Sequence, residues 1–313
     1  MAKSAACPQN ILSVDVEEHF HVEAFSKVIN RRQWDQYPSR VEANTHKLLD
    51  LFDKKDVKAT FFFLGWVAKR HPRLVKEVAN RGHEIACHSF WHRLVYTLGV
   101  EEFRKDTREA KDCIEQALGQ RVCGYRAPSF SIVKSSLWAM DVLAELGFRY
   151  DSSVFPVRHD LYGFRDAPRQ PFAVRTNSGR LMEFPLATFR VGGSANFAVG
   201  GGGYLRLMPS WYTAFGMSQA RRQGVTVVTY IHPWEVDPEQ PHIAAPFRSR
   251  FRHYTNLATT ENKLLRMLSS GKFLPFRESI ALEIPTLGIQ PSLDATPQPV
   301  GPHAEFEFSG RLG

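Results

Sequence analysis

Cysteine is scarce: four among 313 residues, Cys7, Cys87, Cys113 and Cys123, with no CxxC pair. That excludes a disulfide framework and points to free thiols in a reducing compartment. No stretch approaches the roughly 18 consecutive apolar residues of a spanning helix, so no transmembrane segment is expected. Met1 to Asn10 holds one lysine and no apolar h-region, which reads as a chain without a secretory signal, hence cytoplasmic. Acidic residues are the minority, 32 against 40 Lys and Arg, for a net charge of +8 and a pI near 9.4. This balance favours anionic polymers, membranes or nucleic acid only in a general way. The basic residues are scattered in pairs with one denser run, Arg248 to Arg252, and read as a solvated face; no nucleic-acid motif accompanies them. Internal repeats are absent, which excludes a solenoid. Gly200 to Gly203 lacks the Lys-Ser/Thr of a phosphate loop and reads instead as a tight turn near a substrate groove.

With 43% hydrophobic residues the chain can bury a full core, and one large α/β domain over residues 10–283 is expected, between a short segment 1–9 and a mobile, Pro-rich tail 284–313. The expected elements alternate as strand and helix. Strands are expected at Ile11–Val14, Val57–Leu64, His83–Cys87, Arg121–Tyr125, Phe148–Tyr150 and Val225–Ile231. Helices are expected from about Val41 to Phe52, from Pro72 to Gly82, over Val100–Leu118, Ser136–Leu146 and Ser210–Gln223, and from a cap at Thr260 to Gly271. Phe155 to Gly203 is less regular, with one strand around Leu181 to Pro185.

The chemistry gathers where these strands end. Ile11–Val14 runs into Asp15-Val16-Glu17-Glu18-His19-Phe20-His21, three carboxylates in four positions. Carboxylates beside a low-dielectric interior call for a cation or a donor. After the strand His83–Cys87 comes His88-Ser89-Phe90-Trp91-His92, two imidazoles four apart, expected on one face of a helical turn and able to grip one metal ion. Arg126-Ala127-Pro128-Ser129, Asp151-Ser152-Ser153 and His232-Pro233-Trp234-Glu235 each follow a strand in the same way. Five polar constellations at the same end of five strands argue for one shared site on one rim of a parallel sheet. A barrel would bring Asp15 and His232 together; an open sheet would not.

These residues resemble the polysaccharide deacetylases of the NodB homology fold, carbohydrate esterases that remove acetyl groups from N-acetylated sugars. The likeness covers about residues 10–280 and runs through Ala59–Trp66 and Arg81–His88, beyond the motif positions alone. Val14–Glu18, Tyr150–Pro156, Gly201–Tyr204 and His232–Glu235 more narrowly resemble the branch associated with exosortase-linked exopolysaccharide gene clusters, with a family-specific C-terminal half from about residue 150. The resemblance implies a distorted (β/α)7-type barrel and one divalent metal, zinc first, with cobalt, manganese or nickel as alternatives. It makes Asp15 the general base, His88 and His92 metal ligands, Arg126 the residue that orients the base, and His232 the general acid. Asp151 would hold Arg126 or tune the acid. Val16 stands where the family's second aspartate binds metal, so a variant pattern points to Glu17 as third ligand, with Glu18 as competitor. Ser129 replaces the usual aromatic after the Pro of its motif, leaving its backbone N–H as an oxyanion donor.

The residue types suit this reaction in their own right. Two His and a carboxylate can hold an ion that polarises an amide carbonyl, a second carboxylate can take a proton from water, and an imidazole can protonate the departing amine. Tyr204, Trp234 and Glu183 are candidate substrate contacts, although core packing accounts for an aromatic equally well. His19 and His21 are read as solvent-facing loop residues. The expected partner is an N-acetylated polysaccharide or oligosaccharide, and peripheral association with export machinery is compatible with the absence of a membrane span. The alternatives are a small ureide or imide amidohydrolase of the same fold, a peptidoglycan substrate, or a carbohydrate-binding protein without turnover.

Overall fold

Strand β1 (Asn10–Val16) is buried along its whole length in the structure, a computed structural model that describes residues 9–159, 162–279 and 286–287. Parallel neighbours flank it: β2 (Thr60–Phe63), β3 (Glu84–Cys87), β4 (Gly124–Tyr125) and β5 (Tyr150–Asp151) follow in order on one side. The hairpin β6 (Phe172–Thr176) and β7 (Gly179–Glu183) continues the sheet, with β7 parallel to β5. A small separate hairpin, β8 (Thr188–Phe189) and β9 (Phe197–Ala198), comes next. On the other side of β1 lies β10 (Val227–Ile231), and β11 (Phe273–Leu274) also pairs with β1. The chain is thus a mixed α/β single domain with a mostly parallel sheet. Where one strand was expected in the irregular segment the hairpin β6–β7 stands; Arg175 and Arg180 pair across it and mask the apolar alternation of both strands.

Period-two alternation gives each strand two buried faces. Leu12, Val14, Phe61, Phe63, Ile85 and Cys87 face the helices, whereas Ile11, Phe62, Ala86, Tyr150, Met182 and Val228 meet in a second cluster inside the curl of the sheet. Strands from opposite ends of the sheet share that interior. Among the described residues no ladder closes the ring, but the Ala187 N–H, four residues past β7, donates to Val228 O of β10 at 3.1 Å.

The helices are α1 (Val41–Lys54), α2 (Gly65–Arg70), α3 (Pro72–Asn80), α4 (Val100–Leu118), α5 (Trp138–Glu145), α6 (Gly202–Leu207), α7 (Ser210–Arg222), α8 (Phe247–Tyr254), α9 (Leu257–Leu268) and α10 (Phe276–Ser279). In α1 the apolar positions Val41, Leu48, Leu49 and Phe52 are buried as their spacing requires. Thr260 does not cap a helix: α9 starts at Leu257, and the Thr260 hydroxyl donates to Asn256 O from inside the first turn. The tail expected over 284–313 lies almost wholly outside the described residues. Cys87, Cys113 and Cys123 are free thiols, and no helix among the described residues is long and apolar enough to cross a membrane.

Candidate active site

Alternation along β1 decides which carboxylates point where. Ser13 and Asp15 share the interior parity of Ile11, and Glu17 keeps that direction just past the strand. Val16 packs with Leu12 and Val14 in the helical layer, so an apolar residue fits where a ligand could not reach the site. Glu18 turns away: its carboxylate accepts the N–H groups of Arg40 and Val41 and the Ser39 hydroxyl, which caps the start of α1. Glu17 instead lies 2.7 Å from His92 Nε2, and ligand atoms of Glu17, His88 and His92 all lie within 4.8 Å of one another.

His88 and His92 do not share a helical turn. The segment from 88 to 92 is an irregular loop in which Ser89 and His92 have left-handed φ values of 63° and 49°, a conformation non-glycine residues adopt mainly where the surroundings enforce it. Side chains supply the bonds a helix would have made. Buried Asp106 accepts the Phe90 N–H at 2.8 Å, and Arg31 donates to Trp91 O at 2.8 Å. His88 Nδ1 lies 2.9 Å from Arg126 O, which leaves Nε2 free to face the cluster. Burial lowers the His88 pKa to about 4 against the pull of Asp15, so the ring is neutral and able to ligate. Burial would raise Glu17, but the charge and hydrogen bond of His92, helped by His232 and His88, hold it well below the usual carboxylate range. A neutral imidazole, a second imidazole and an ionised carboxylate converging in this way fit one divalent cation.

Asp15 sits beside this cluster, held from below. Arg126, fully buried, donates to Asp15 Oδ1 at 2.8 Å and to the Ser13 hydroxyl at 2.6 Å, and its guanidinium stacks 4.3 Å above Phe62. Asp15 Oδ2 is left facing His232 Nε2 at 3.9 Å. Across the cleft, His232 Nδ1 lies 2.9 Å from Glu235, which also accepts the His232 backbone N–H. Burial opposes a charge on His232, but the hydrogen bond and charge of Glu235, with Glu17 and Asp15, raise its pKa to about 9. Arg206 Nε, 3.2 Å away, completes the line behind Glu235. Burial would raise Glu235 too; His232 and Arg206 keep it ionised.

Asp15, Glu17, His88, His92, Ser129, Tyr204, His232 and Trp234 line one cleft of about 640 Å³. Trp234 is its floor: the indole donates to Glu17 at 3.2 Å and stacks on His232 and His253, with centroids 5.0 and 4.2 Å apart. Gly201 and Gly202 lead into Tyr204 with φ values of 112° and 48°, and a Cβ at either would meet the Tyr230 ring at 2.6 Å. Only glycine permits that approach. Three expected placements differ. Asp151 makes no hydrogen bond to Arg126 or His232; it pairs with Glu183 on the neighbouring strand. Glu183 is fully buried, accepts the Val154 N–H, and does not line the cleft. His19 and His21 are buried, not solvent-facing, and His21 packs on Trp34. Sequence reasoning missed Glu235 and Arg206 as site residues. Glu235 carried a signal, since an acid three residues after His232 can reach back to it; Arg206 carried none.

Residues 33–150 match the family model described as "Polysaccharide deacetylase". Over that stretch the chain is similar to the polysaccharide deacetylases. Residues 152–281 match a domain of unknown function, DUF3473. A peptidoglycan-N-acetylglucosamine deacetylase of Bacillus cereus is 33% identical over 98 residues, 31% of this chain and 36% of its own length. A chitooligosaccharide deacetylase of Rhizobium leguminosarum bv. trifolii is 32% identical over 100 residues, 32% of this chain and 44% of that protein. The chain therefore spans less than half the length of these curated relatives. A crystal structure from Mycobacterium smegmatis, assigned as a polysaccharide deacetylase, superposes with a TM-score of 0.58 over 92% of this chain and 96% of the other at 17% identity, a likeness of fold.

Proposed function

We propose that this protein is a metal-dependent hydrolase that removes the N-acetyl group from amino sugars of a polysaccharide or its precursor. The observation that carries the reading is convergence: a candidate base on β1, a three-ligand cluster from β1 and β3, and a cationic imidazole after β10 face one cleft. The family match over residues 33–150 supports the same class. The narrower motif resemblance supports a place in exopolysaccharide synthesis, and the His/carboxylate donor set suits zinc.

Glu17, His88 and His92 would hold the cation, which supplies Lewis acidity toward the acetyl carbonyl and the attacking water. Arg126 occupies Asp15 Oδ1, so Oδ2 takes the proton as water adds to the carbonyl carbon. Ser129 lines the cleft, and its backbone N–H would stabilise the oxyanion. The protonated Nε2 of His232 gives its proton to the amine nitrogen as the C–N bond breaks, releasing acetate and the free amino sugar. Glu235 keeps that imidazole charged and oriented, the role first considered for Asp151.

The test pairs elemental metal analysis with acetate release from N-acetylglucosamine oligomers. Asp15→Asn should retain the metal and lose roughly 100- to 10,000-fold in rate, whereas Glu17→Gln should lose both. Wild type that binds metal yet releases no acetate from any N-acetylated saccharide would move the reading to another amide. Failure to bind metal under replete conditions would end the catalytic reading in favour of a carbohydrate-binding protein.

A further inference from the structure

We propose that α8 docks the mouth of the cleft onto an anionic lipid surface. The helix, Phe-Arg-Ser-Arg-Phe-Arg-His-Tyr, shows its apolar residues to solvent. Phe247 and Phe251 are 77% and 53% exposed, one turn apart, with ring centroids 6.1 Å apart. The inward side is taken by His253, which is buried and packs on Trp234 at 4.2 Å and Phe25 at 4.7 Å. At 3.6 residues per turn, Arg248 and Arg252 flank the two rings on one side and Arg250 on the other. All three arginines are exposed, and none makes a side-chain hydrogen bond or ion pair with a described residue.

This arrangement fits a bilayer surface better than the other candidates. Exposed phenylalanines gain from leaving water for the acyl boundary while arginines beside them meet phosphate headgroups, the pattern of an interfacial helix. A soluble polyanion would engage the arginines but gain little from the rings. The net charge of +8 adds long-range attraction to an anionic leaflet. Position ties the patch to the site. Pro246, Ser249 and Arg252 form one rim of the cleft, with Lys27, Leu207 and Met208 in the remainder, and Leu207 and Val28 are further exposed apolar residues. Docking by α8 brings the opening to the membrane. That the cleft would there meet a membrane-linked saccharide rests on the deacetylase reading; the docking does not.

The experiment is co-sedimentation of the full chain with vesicles of phosphatidylcholine alone or mixed equally with phosphatidylglycerol. Binding is expected to the mixed vesicles only and should weaken with added salt. Phe247→Ser with Phe251→Ser should lower it by roughly tenfold or more, and Arg248→Gln and Arg250→Gln by roughly fivefold each. Acetate release from a soluble oligosaccharide and the thermal midpoint should not change in any of these variants, because the four side chains are exposed and lie outside the cleft lining. Binding that ignores the phenylalanines would overturn the proposal in favour of a general polyanion surface. No vesicle binding, together with concentration-dependent self-association lost in the double Phe variant, would assign the patch to a second copy of the chain. The vesicle result is independent of turnover, so failure of the deacetylase reading leaves it standing.

Discussion

At the scale of single residues, the site depends on which carboxylates remain charged. Glu235, between His232 and Arg206, is the ion that keeps the imidazole protonated. Replacing it by Gln preserves the shape but removes the charge. We expect a rate loss of roughly ten- to a hundredfold and a basic limb of the pH–rate profile moved to lower pH; an unmoved limb would show that Glu235 only supports the loop. Asp151 and Glu183 behave oppositely. Burial raises Asp151 to about 6 and pushes Glu183 well above its ordinary value. Both folded values lie above the unfolded ones, so the native state holds more protons and the pair costs stability as pH rises from about 4 through the folded values. The isosteric Glu183→Gln variant should therefore gain on wild type as pH rises. Midpoints measured between pH 5 and 8 would check this, and parallel curves would refute it.

At the scale of elements, strand parity and helix ends divide labour between adjacent acids. Glu17 follows the interior face of β1, and Glu18 serves the N-terminus of α1 with two backbone N–H groups and a hydroxyl. Glu18→Ala should cost about 1–2 kcal/mol in urea unfolding while metal content stays at the wild-type level, the reverse of Glu17→Gln. Equal metal loss in both would mean that the strand end shifts as a unit. The loop from 88 to 92 makes a related point. Its two imidazoles converge because Asp106 and Arg31 hold a non-helical backbone, so spacing alone brought the two rings together on the wrong local structure.

At the scale of the whole molecule, the curl of the sheet is filled from its far end. Phe276 of α10 stacks on Tyr150 at 5.1 Å and meets Phe62 and Phe184 edge-on at 5.7 and 5.2 Å. Arg126 lies over that same Phe62 and donates to Asp15, so the plug supports the platform of Asp15. Phe276→Ala should lower stability by about 3–5 kcal/mol in a denaturant titration, and a cost under 1 kcal/mol would show that the interior closes without it. The βα alternation, the strand ends that bear Asp15, His88, Arg126 and His232, and the helices α1, α4 and α7 were legible in the sequence. Period, glycine stops and polar breaks are local signals that need no partner. The pairing of Asp151 with Glu183, the contact of Arg206 with Glu235 and the divergence of Glu17 toward the His cluster from Glu18 toward α1 were decided only by tertiary structure. Each depends on which side chain meets which across residues distant in sequence, or on which side of β1 a carboxylate emerges, and no spacing along the chain encodes that.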